Sequence, residues 1–375
     1  MGGYAAAFIV AAAATALLCW PAVRLSHRWH MLKEPDGKRH LHPVATPVLG
    51  GSAMCLALLV ALLVTSRIHQ FHEIFATSEP LGVAIGALVI TAVGTLDDRI
   101  AVSPPAKMAG QVLSGSALYL FGVTMYFFRL PVLDIVDLSP DLTPLITVVW
   151  VIGMANAVNF IDGVDGLAAG VVAIGAAAFF LYSRQLFDAG RIAGDNMGPL
   201  LAVIACGVCV GFLPWNWTQA KIFMGDAGAM LLGLLMACST MVVGGRASEP
   251  SSGQTYFFFA PLIIPFLILG VPIADTVLSI VRRTARGGGV SIADRQHIHH
   301  RLLELGHGPR RTVVILCSLT AILSALVLGP TYAKNNWVLL PLGVMLGVTI
   351  GFALWPRDRI RRVETRDLPG PRSVS

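Results

Sequence analysis

Long apolar runs separated by short polar connections dominate the chain. An α-helix needs about 20 apolar residues to cross a hydrocarbon core about 30 Å thick, and runs near this length recur along the sequence. Their bounds are 4–23, 48–66, 80–96, 106–128, 144–160, 166–182, 197–215, 227–245, 256–281, 312–329 and 336–355. The pattern predicts an all-α integral membrane protein with about eleven transmembrane helices. Membrane-spanning β-strands would instead alternate over about ten residues.

The composition agrees with a membrane protein and excludes other classes. Hydrophobic residues make up 55% of the chain and charged residues 13%, whereas a soluble chain carries about 25% charged residues. A soluble multidomain protein, a disordered chain, a coiled coil and a disulfide scaffold are therefore excluded. The cysteines are interpreted as packing residues, not as a metal or redox site, because all lie in apolar runs: Cys19, Cys55, Cys206, Cys209, Cys238 and Cys317.

The lysines and arginines predict the orientation, because they concentrate in cytoplasmic connections. With the N-terminus outside and the C-terminus cytoplasmic, few of the 27 lie outside, namely Arg67, Arg129, Arg184, Arg191, Arg246 and Lys334. The net charge of +6 then belongs to the cytoplasmic face, where it suits anionic lipids and phosphorylated ligands and not nucleic acid. Residues 1–355 are predicted to form the membrane domain and 356–375 a basic cytoplasmic tail.

Polar clusters beside helix ends mark the same face. They fall in the loops 24–47, 97–106, 161–165, 216–226 and 282–311. A transporter more often buries its ionisable residues at the bilayer midplane, whereas these residues gather at one membrane surface. The sequence therefore predicts an active site at the cytoplasmic interface, with an anionic-solute transporter as the alternative from another class.

Two clusters are rich in carboxylates. Asp97 and Asp98 are adjacent and repel each other unless a cation, a proton or a base lies nearby. This pair is interpreted as a general base supporting a metal–phosphate site, or else as a helix end that faces water. Four further groups with three-residue spacing share one side of a helix end and suit Mg²⁺, with a solvated turn as the alternative: Asn156, Asn159, Asp162 and Asp165.

Two later clusters add aromatic and basic groups. Asp226 precedes an apolar run and follows Phe223, which indicates a metal ligand beside a stacked base, or else a helix N-cap. The long loop after the ninth run combines histidines and arginines, which suit a diphosphate. A zinc site and a loop lying on anionic lipid are the alternatives. The residues concerned are His297, His299, His300, Arg286, Arg295 and Arg301.

Together these motifs resemble the polyprenyl-phosphate N-acetylhexosamine-1-phosphate transferases, an integral membrane family. The resemblance is carried by Gly50-Gly51, Asp97-Asp98, the segment 156–167, the Phe223–Asp226 motif and the run His297–His300. It implies transfer of an N-acetylhexosamine 1-phosphate from a UDP-sugar to a polyprenyl phosphate at a bacterial plasma membrane. It also implies a requirement for Mg²⁺, with Mn²⁺ as a substitute, and leaves a homodimer open.

The resemblance also implies roles for individual residues. Asp226 matches the metal-binding aspartate, with Asn159 in the same shell, and Asp97 matches the residue that engages the lipid phosphate, with Asp98 beside it. Asp162 and the three histidines join the catalytic set. The remaining candidates are expected to bind substrate: Asp165, Asn216 and Phe223 at the uridine, together with Asn156, Arg286, Arg295 and Arg301.

The form of the histidine motif bears on the sugar. His-Ile-His-His-Arg-Leu-Leu, led by Asp294-Arg-Gln, resembles the GlcNAc-1-phosphate branch of the family, so UDP-GlcNAc is the expected donor. Transfer of phospho-MurNAc-pentapeptide is the second interpretation. The chain departs from many relatives at Ala101, where they carry a further acid, and at 289–292, where they carry a Ser-Pro-Phe-like stretch.

Overall fold

The computed structural model describes residues 1–34, 45–130, 134–217, 219–245, 307–333 and 336–354. These residues are mostly helical, and short 3-10 turns lie at His69–Phe71 and Asn336–Val338. The helices are α1 Gly2–Arg28, α2 Gly50–Thr65, α3 His72–Phe75, α4 Glu79–Ile100, α5 Pro104–Leu120, α6 Leu142–Ile161, α7 Leu167–Asp188, α8 Gly198–Asn216, α9 Gly225–Gly244, α10 Pro309–Ala333 and α11 Leu339–Leu354.

Each predicted apolar run coincides with a helix, except for the run 256–281, which lies outside the described residues. Seven of the described helices are long and apolar enough to cross a membrane, or up to eight if α2 and the short helices after it form one span bent by 99°. The chain is therefore an α-helical membrane protein. The prediction of about eleven spans extends beyond what the described residues contain.

Two short antiparallel ladders interrupt the helices and were not expected from the sequence. Strand β1 (Leu32–Lys33) pairs with β2 (Thr46–Pro47), and β3 (Phe127–Leu130) pairs with β4 (Asp134–Asp137). The predicted helical run 106–128 was wrong at its C-terminal end, because α5 ends at Leu120 and β3 begins at Phe127. Gly122, with a φ of +91°, turns the chain there in a conformation that favours glycine.

Helix α9 is the centre of the bundle. It packs against α2, α4, α6 and α8, and 94% of its membrane-spanning window is buried, against 22% for α1. Within a bilayer, water does not drive helices together, so close contact between small residues is a main source of attraction. A Cβ on Gly51 would lie 2.1 Å from the Gly228 nitrogen, and one on Gly94 would lie 2.3 Å from the Ala227 Cα. These glycines bring α2 and α4 against the first turn of α9.

The remaining helices surround this centre. Helix α1 packs on α8 and α2, α7 lies between α8 and α10, and α11 lies against α10. Five of the cysteines are buried and Cys317 is partly buried, and all are free thiols. This placement agrees with their interpretation as packing residues. The arrangement leaves the C-terminal end of α4, the start of α5, the C-terminal end of α6 and the start of α9 together at one end of the bundle.

Candidate active site

A lysine and two carboxylates join three helix ends. Lys107, in the first turn of α5, donates from Nζ to Asp97 Oδ2 at 3.0 Å and also to Asp226 Oδ2. Asp97 lies near the end of α4, and Asp226 lies in the first turn of α9. The three side chains are partly buried, with exposed fractions of 19% for Lys107, 16% for Asp97 and 29% for Asp226. An ion pair in this setting is screened less than one on an open surface.

Asp98 closes the start of α9. The backbone N–H of Asp226 donates to Asp98 Oδ1 at 3.0 Å, and that of Ala227 donates to Oδ2 at 3.3 Å. The first N–H groups of a helix have no partner within the helix, and a carboxylate there also meets the positive end of the helix dipole. Asp98 therefore acts as a capping group supplied by another helix. The N-cap residue itself, Met224, makes no side-chain capping bond.

Asn159 and Asp162 add oxygens from α6. The Asn159 side chain is hydrogen-bonded to Asp226, and Asp162 follows the last residue of α6. Burial and the negative charges of Asp226, Asp98 and Asp165 together raise the pKa of Asp162 to about 8, against the opposing charge of Lys33. These surroundings favour the protonated form of Asp162 more than water does. A cation approaching it would favour its ionised form.

One turn deeper along α6, Asn156 pairs with a buried glutamine. Asn156 Nδ2 donates to Gln111 Oε1 at 2.9 Å, and Gln111 Nε2 donates to Asn156 Oδ1 at 3.4 Å. Gln111 is 1% exposed, and Asn156 Nδ2 also donates to the Ile152 carbonyl. The pair ties α5 to α6 directly beneath Lys107 and Asn159. The predicted contact of Asn156 with substrate remains a prediction.

Asp165 and Asn216 order the loop between α8 and α9. The backbone N–H of Ala220 donates to Asp165 Oδ2 at 3.0 Å. Asn216 is 3% exposed; its Oδ1 accepts from Gly166 N at 2.8 Å and its Nδ2 donates to the Ile222 carbonyl at 2.9 Å. The structure thus shows both side chains bonded within the protein, where they position this loop. Direct contact with a nucleotide remains a prediction for both.

Phe223 lies where this loop meets the start of α2. Its N–H donates to the Pro47 carbonyl at 2.8 Å, and its own carbonyl accepts from Gly50 N at 3.1 Å. A Cβ on Gly50 would lie 2.4 Å from that carbonyl oxygen, so only glycine fits there without a shift of the backbone. The Phe223 ring is partly buried. The Gly50-Gly51 motif therefore acts here as a point of close backbone contact.

The structure brings together Asp97, Asp98, Asp162 and Asp226, which we call the acidic cluster, with Asn159 beside Asp226. Lys107 and Gln111 belong to the same site, although sequence reasoning did not select them. The other predicted residues, His297, His299, His300, Arg286, Arg295 and Arg301, lie outside the described residues.

The donor atoms suit a hard cation such as Mg²⁺, because they are carboxylate and amide oxygens. Within the described ranges, however, no three side chains of His, Cys, Asp or Glu form a group that could hold a metal ion. Mg²⁺ is usually bound by one or two carboxylates and by substrate phosphates. The residues therefore fit a cation shared with a phosphorylated ligand better than a site built from protein alone.

An acidic, oxygen-rich site at one end of an α-helical membrane bundle is the arrangement expected of a membrane-embedded transferase that acts on phosphorylated substrates, and the similarity to known proteins supports this class. Residues 80–244 match the model of glycosyl transferase family 4. The decaprenyl-phosphate N-acetylglucosaminephosphotransferase of Mycobacterium tuberculosis is 34% identical, over 82% of this chain and 78% of that protein. This chain belongs to the polyprenyl-phosphate N-acetylhexosamine-1-phosphate transferase family, which confirms the resemblance found in its motifs.

Two further relatives bear on the branch of the family. A probable undecaprenyl-phosphate N-acetylglucosaminyl 1-phosphate transferase of Bacillus subtilis is 31% identical over 83% of this chain and 80% of that protein. A phospho-N-acetylmuramoyl-pentapeptide-transferase of Mycolicibacterium paratuberculosis is 33% identical, but over 61% of this chain and 73% of that protein. The similarity to relatives named for N-acetylglucosamine thus extends over more of the chain.

Proposed function

We propose that this chain transfers N-acetylglucosamine 1-phosphate from UDP-N-acetylglucosamine to a polyprenyl phosphate and releases UMP. The observation that carries the proposal is the acidic cluster with Lys107 at one end of a membrane bundle. A lipid-anchored acceptor and a water-soluble donor meet at such an interface. The relatives from M. tuberculosis and B. subtilis support the same transfer over most of the chain.

In the proposed reaction, a phosphate oxygen of the lipid forms a bond to the β-phosphorus of the nucleotide sugar. The bond from that phosphorus to the oxygen bridging the two phosphates breaks, and this oxygen leaves with its electron pair as part of UMP. Both reactants are anions, and bound Mg²⁺, or Mn²⁺ in its place, would neutralise the charge that develops between them. Asp226 and Asn159 are the residues that would hold the cation.

The two adjacent aspartates take different roles in this proposal. Both oxygens of Asp98 accept backbone N–H groups of α9, so this residue positions Asp226. Asp97 Oδ1 accepts from Val102 N at 2.7 Å, while its Oδ2 faces the side-chain ammonium of Lys107. A lysine side chain moves more easily than a helix backbone. Asp97 is therefore our choice for the base that takes a proton from the lipid phosphate.

The nucleotide is assigned to the side of the site formed by Phe223 and the loop before α9. Asp165 and Asn216 hold this loop in place, and the Phe223 ring is proposed to stack on the base. His297, His299 and His300, with Arg286, Arg295 and Arg301, are proposed to bind the sugar and the diphosphate. Neutral imidazoles can donate hydrogen bonds to such oxygens, and guanidinium groups pair with phosphate.

A transfer assay tests the proposed activity. Purified protein in detergent, supplied with Mg²⁺, a polyprenyl phosphate and UDP-GlcNAc radiolabelled in the sugar, is expected to yield labelled polyprenyl-diphospho-sugar and UMP. UDP-GalNAc and UDP-MurNAc-pentapeptide serve as competing donors. Exclusive use of UDP-MurNAc-pentapeptide would establish the second interpretation, and no transfer from any of the three donors would contradict the assignment to this reaction.

The proposed cytoplasmic location of the site has its own test. Green fluorescent protein, which matures in the cytoplasm and not after export through the general secretion pathway, is fused after Gly308 or after Glu249. The distribution of Lys and Arg between the two sides predicts fluorescence from the first fusion and none from the second. Fluorescence after Glu249 with none after Gly308 would place the site on the outer face.

A further inference from the structure

Lys107 occupies the gap between the two carboxylates nearest to the proposed cation. Its ammonium bonds to both Asp97 Oδ2 and Asp226 Oδ2, and the second of these is the residue that would hold the metal. An ammonium and a divalent cation compete for the same carboxylate, because two positive charges that close repel each other. In the structure, the lysine therefore engages an oxygen of the residue that would hold the cation.

The charge balance favours this occupancy in the free protein. The acidic cluster concentrates carboxylates at one point, and a partly buried group of like charges is unfavourable without a counter-charge. A tethered lysine supplies that counter-charge without needing a ligand from solution. Within the ranges that the structure describes, no three side chains of His, Cys, Asp or Glu form a preformed metal-binding group.

A diphosphate changes this balance. It brings negative charge and additional oxygen ligands to the site, and Mg²⁺ is typically shared between protein carboxylates and phosphates in such a setting. The ammonium of Lys107 can then move from Asp226 to a phosphate oxygen, since a lysine side chain has several rotatable bonds. Entry of the cation and of the diphosphate become coupled, because each favours release of the lysine from Asp226.

We propose that Lys107 is an exchangeable counter-ion. Its ammonium is bonded to Asp226 in the free enzyme, and a divalent cation replaces it there when a diphosphate-bearing substrate binds. This inference rests on the proposed function for the identity of the substrate. It predicts that the free protein binds divalent cations weakly, and that Lys107 causes this weakness. A purely structural lysine would have no such effect on cation affinity.

The test measures binding of Mn²⁺ to purified protein by electron paramagnetic resonance, without lipid acceptor, so no turnover is required. Replacing Lys107 with glutamine is expected to tighten Mn²⁺ binding to the free protein at least about tenfold, because a charge directly bonded to the ligand is removed. Lys107→Arg keeps the charge and should bind Mn²⁺ as weakly as the wild type. The melting temperature of each variant verifies that it is folded.

Lys33→Gln is the matched control for general electrostatics. Lys33 is exposed and acts on Asp98 and Asp162 only through space, so its loss should tighten Mn²⁺ binding less than about threefold. Adding UDP-GlcNAc should tighten Mn²⁺ binding strongly in the wild type and little in Lys107→Gln, after correction for Mn²⁺ bound by the nucleotide in solution.

Two results would overturn the proposal. One is unchanged or weaker Mn²⁺ binding in a folded Lys107→Gln protein, and the other is an equal gain in Lys33→Gln. Neither result concerns the transfer reaction itself, which the radiolabel assay on the wild type tests separately. The binding measurement can therefore refute the role of Lys107 without refuting the proposed transfer reaction. Conversely, absence of transfer in the radiolabel assay would leave the measured Mn²⁺ affinities unchanged.

Discussion

Replacing Asp226 with asparagine is expected to lower kcat at least about 100-fold at saturating Mg²⁺, as for loss of one group that stabilises a transition state. Asparagine keeps the size of the side chain but removes the negative charge that would hold the cation. It also removes one partner of Lys107 and the charged partner of Asn159. The measurement is turnover of radiolabelled UDP-GlcNAc, with expression level and melting temperature recorded for each protein.

Asp188→Asn provides the matched control for this change. Asp188 is an acid at the last residue of α7; its side chain is 57% exposed and pairs with Arg184. An exposed pair of this kind contributes little to stability, and it lies outside the acidic cluster, so turnover should stay close to that of the wild type. Activity of Asp226→Asn above about a tenth of the wild type would remove the metal-binding role from this residue.

Disturbing the contact between Asp98 and the start of α9 is expected to cost nearly as much. Gly225 has a φ of +65°, and a Cβ placed there would lie 2.3 Å from Asp98 Oδ2. In Gly225→Ala, the added methyl group should therefore displace the Asp98 carboxylate from the start of α9. In Asp98→Ala, the carboxylate itself is absent. In both variants Asp226 loses its fixed position, and we expect kcat to fall about 100-fold, since small misplacements at a reacting centre have effects of this size.

The conservative variant separates positioning from proton transfer. Asp98→Asn retains a side-chain oxygen that can accept a helix N–H, so it should keep clearly more activity than Asp98→Ala. If Asp98 were instead the base, both variants would be equally inactive while Gly225→Ala could remain active. Gly153→Ala is the control for adding a methyl group, because a Cβ at that position meets no atom within 4 Å.

The helices could be predicted from the sequence because bilayer thickness imposes a length on every apolar run. The end of α5 could not, because Phe121 to Phe128 are as apolar as the helix before them while Gly122 turns the chain. The contact of Asn216 and Asp165 with the nucleotide stays a prediction, and the structure adds that both side chains are bonded to the loop before α9. A motif identifies polar groups that matter, but bond geometry shows what each group touches.

The sequence did not indicate Lys107 and Gln111 as site residues for a different reason. Each lies in an apolar stretch with no patterned neighbour, and each finds its partner far along the chain. Lys107 meets Asp226 across 119 positions, and Gln111 meets Asn156 across 45. Only the packing of α5 against α4 and α6 brings these groups together. A polar residue within an otherwise apolar helix is the one sequence signal that could have selected them.

The bond between Asp98 and the start of α9 also determines when the site can be assembled during translation. Its two partners are 128 positions apart, and domains assemble progressively as the ribosome advances. When α4 enters the bilayer, Asp97 and Asp98 therefore have no helix N-terminus to bind, and several further helices must follow before α9 docks. A nascent or truncated chain that ends before Gly225 thus carries the acidic pair without its partner. We therefore expect transfer onto the lipid carrier to begin only after translation has passed the centre of the bundle.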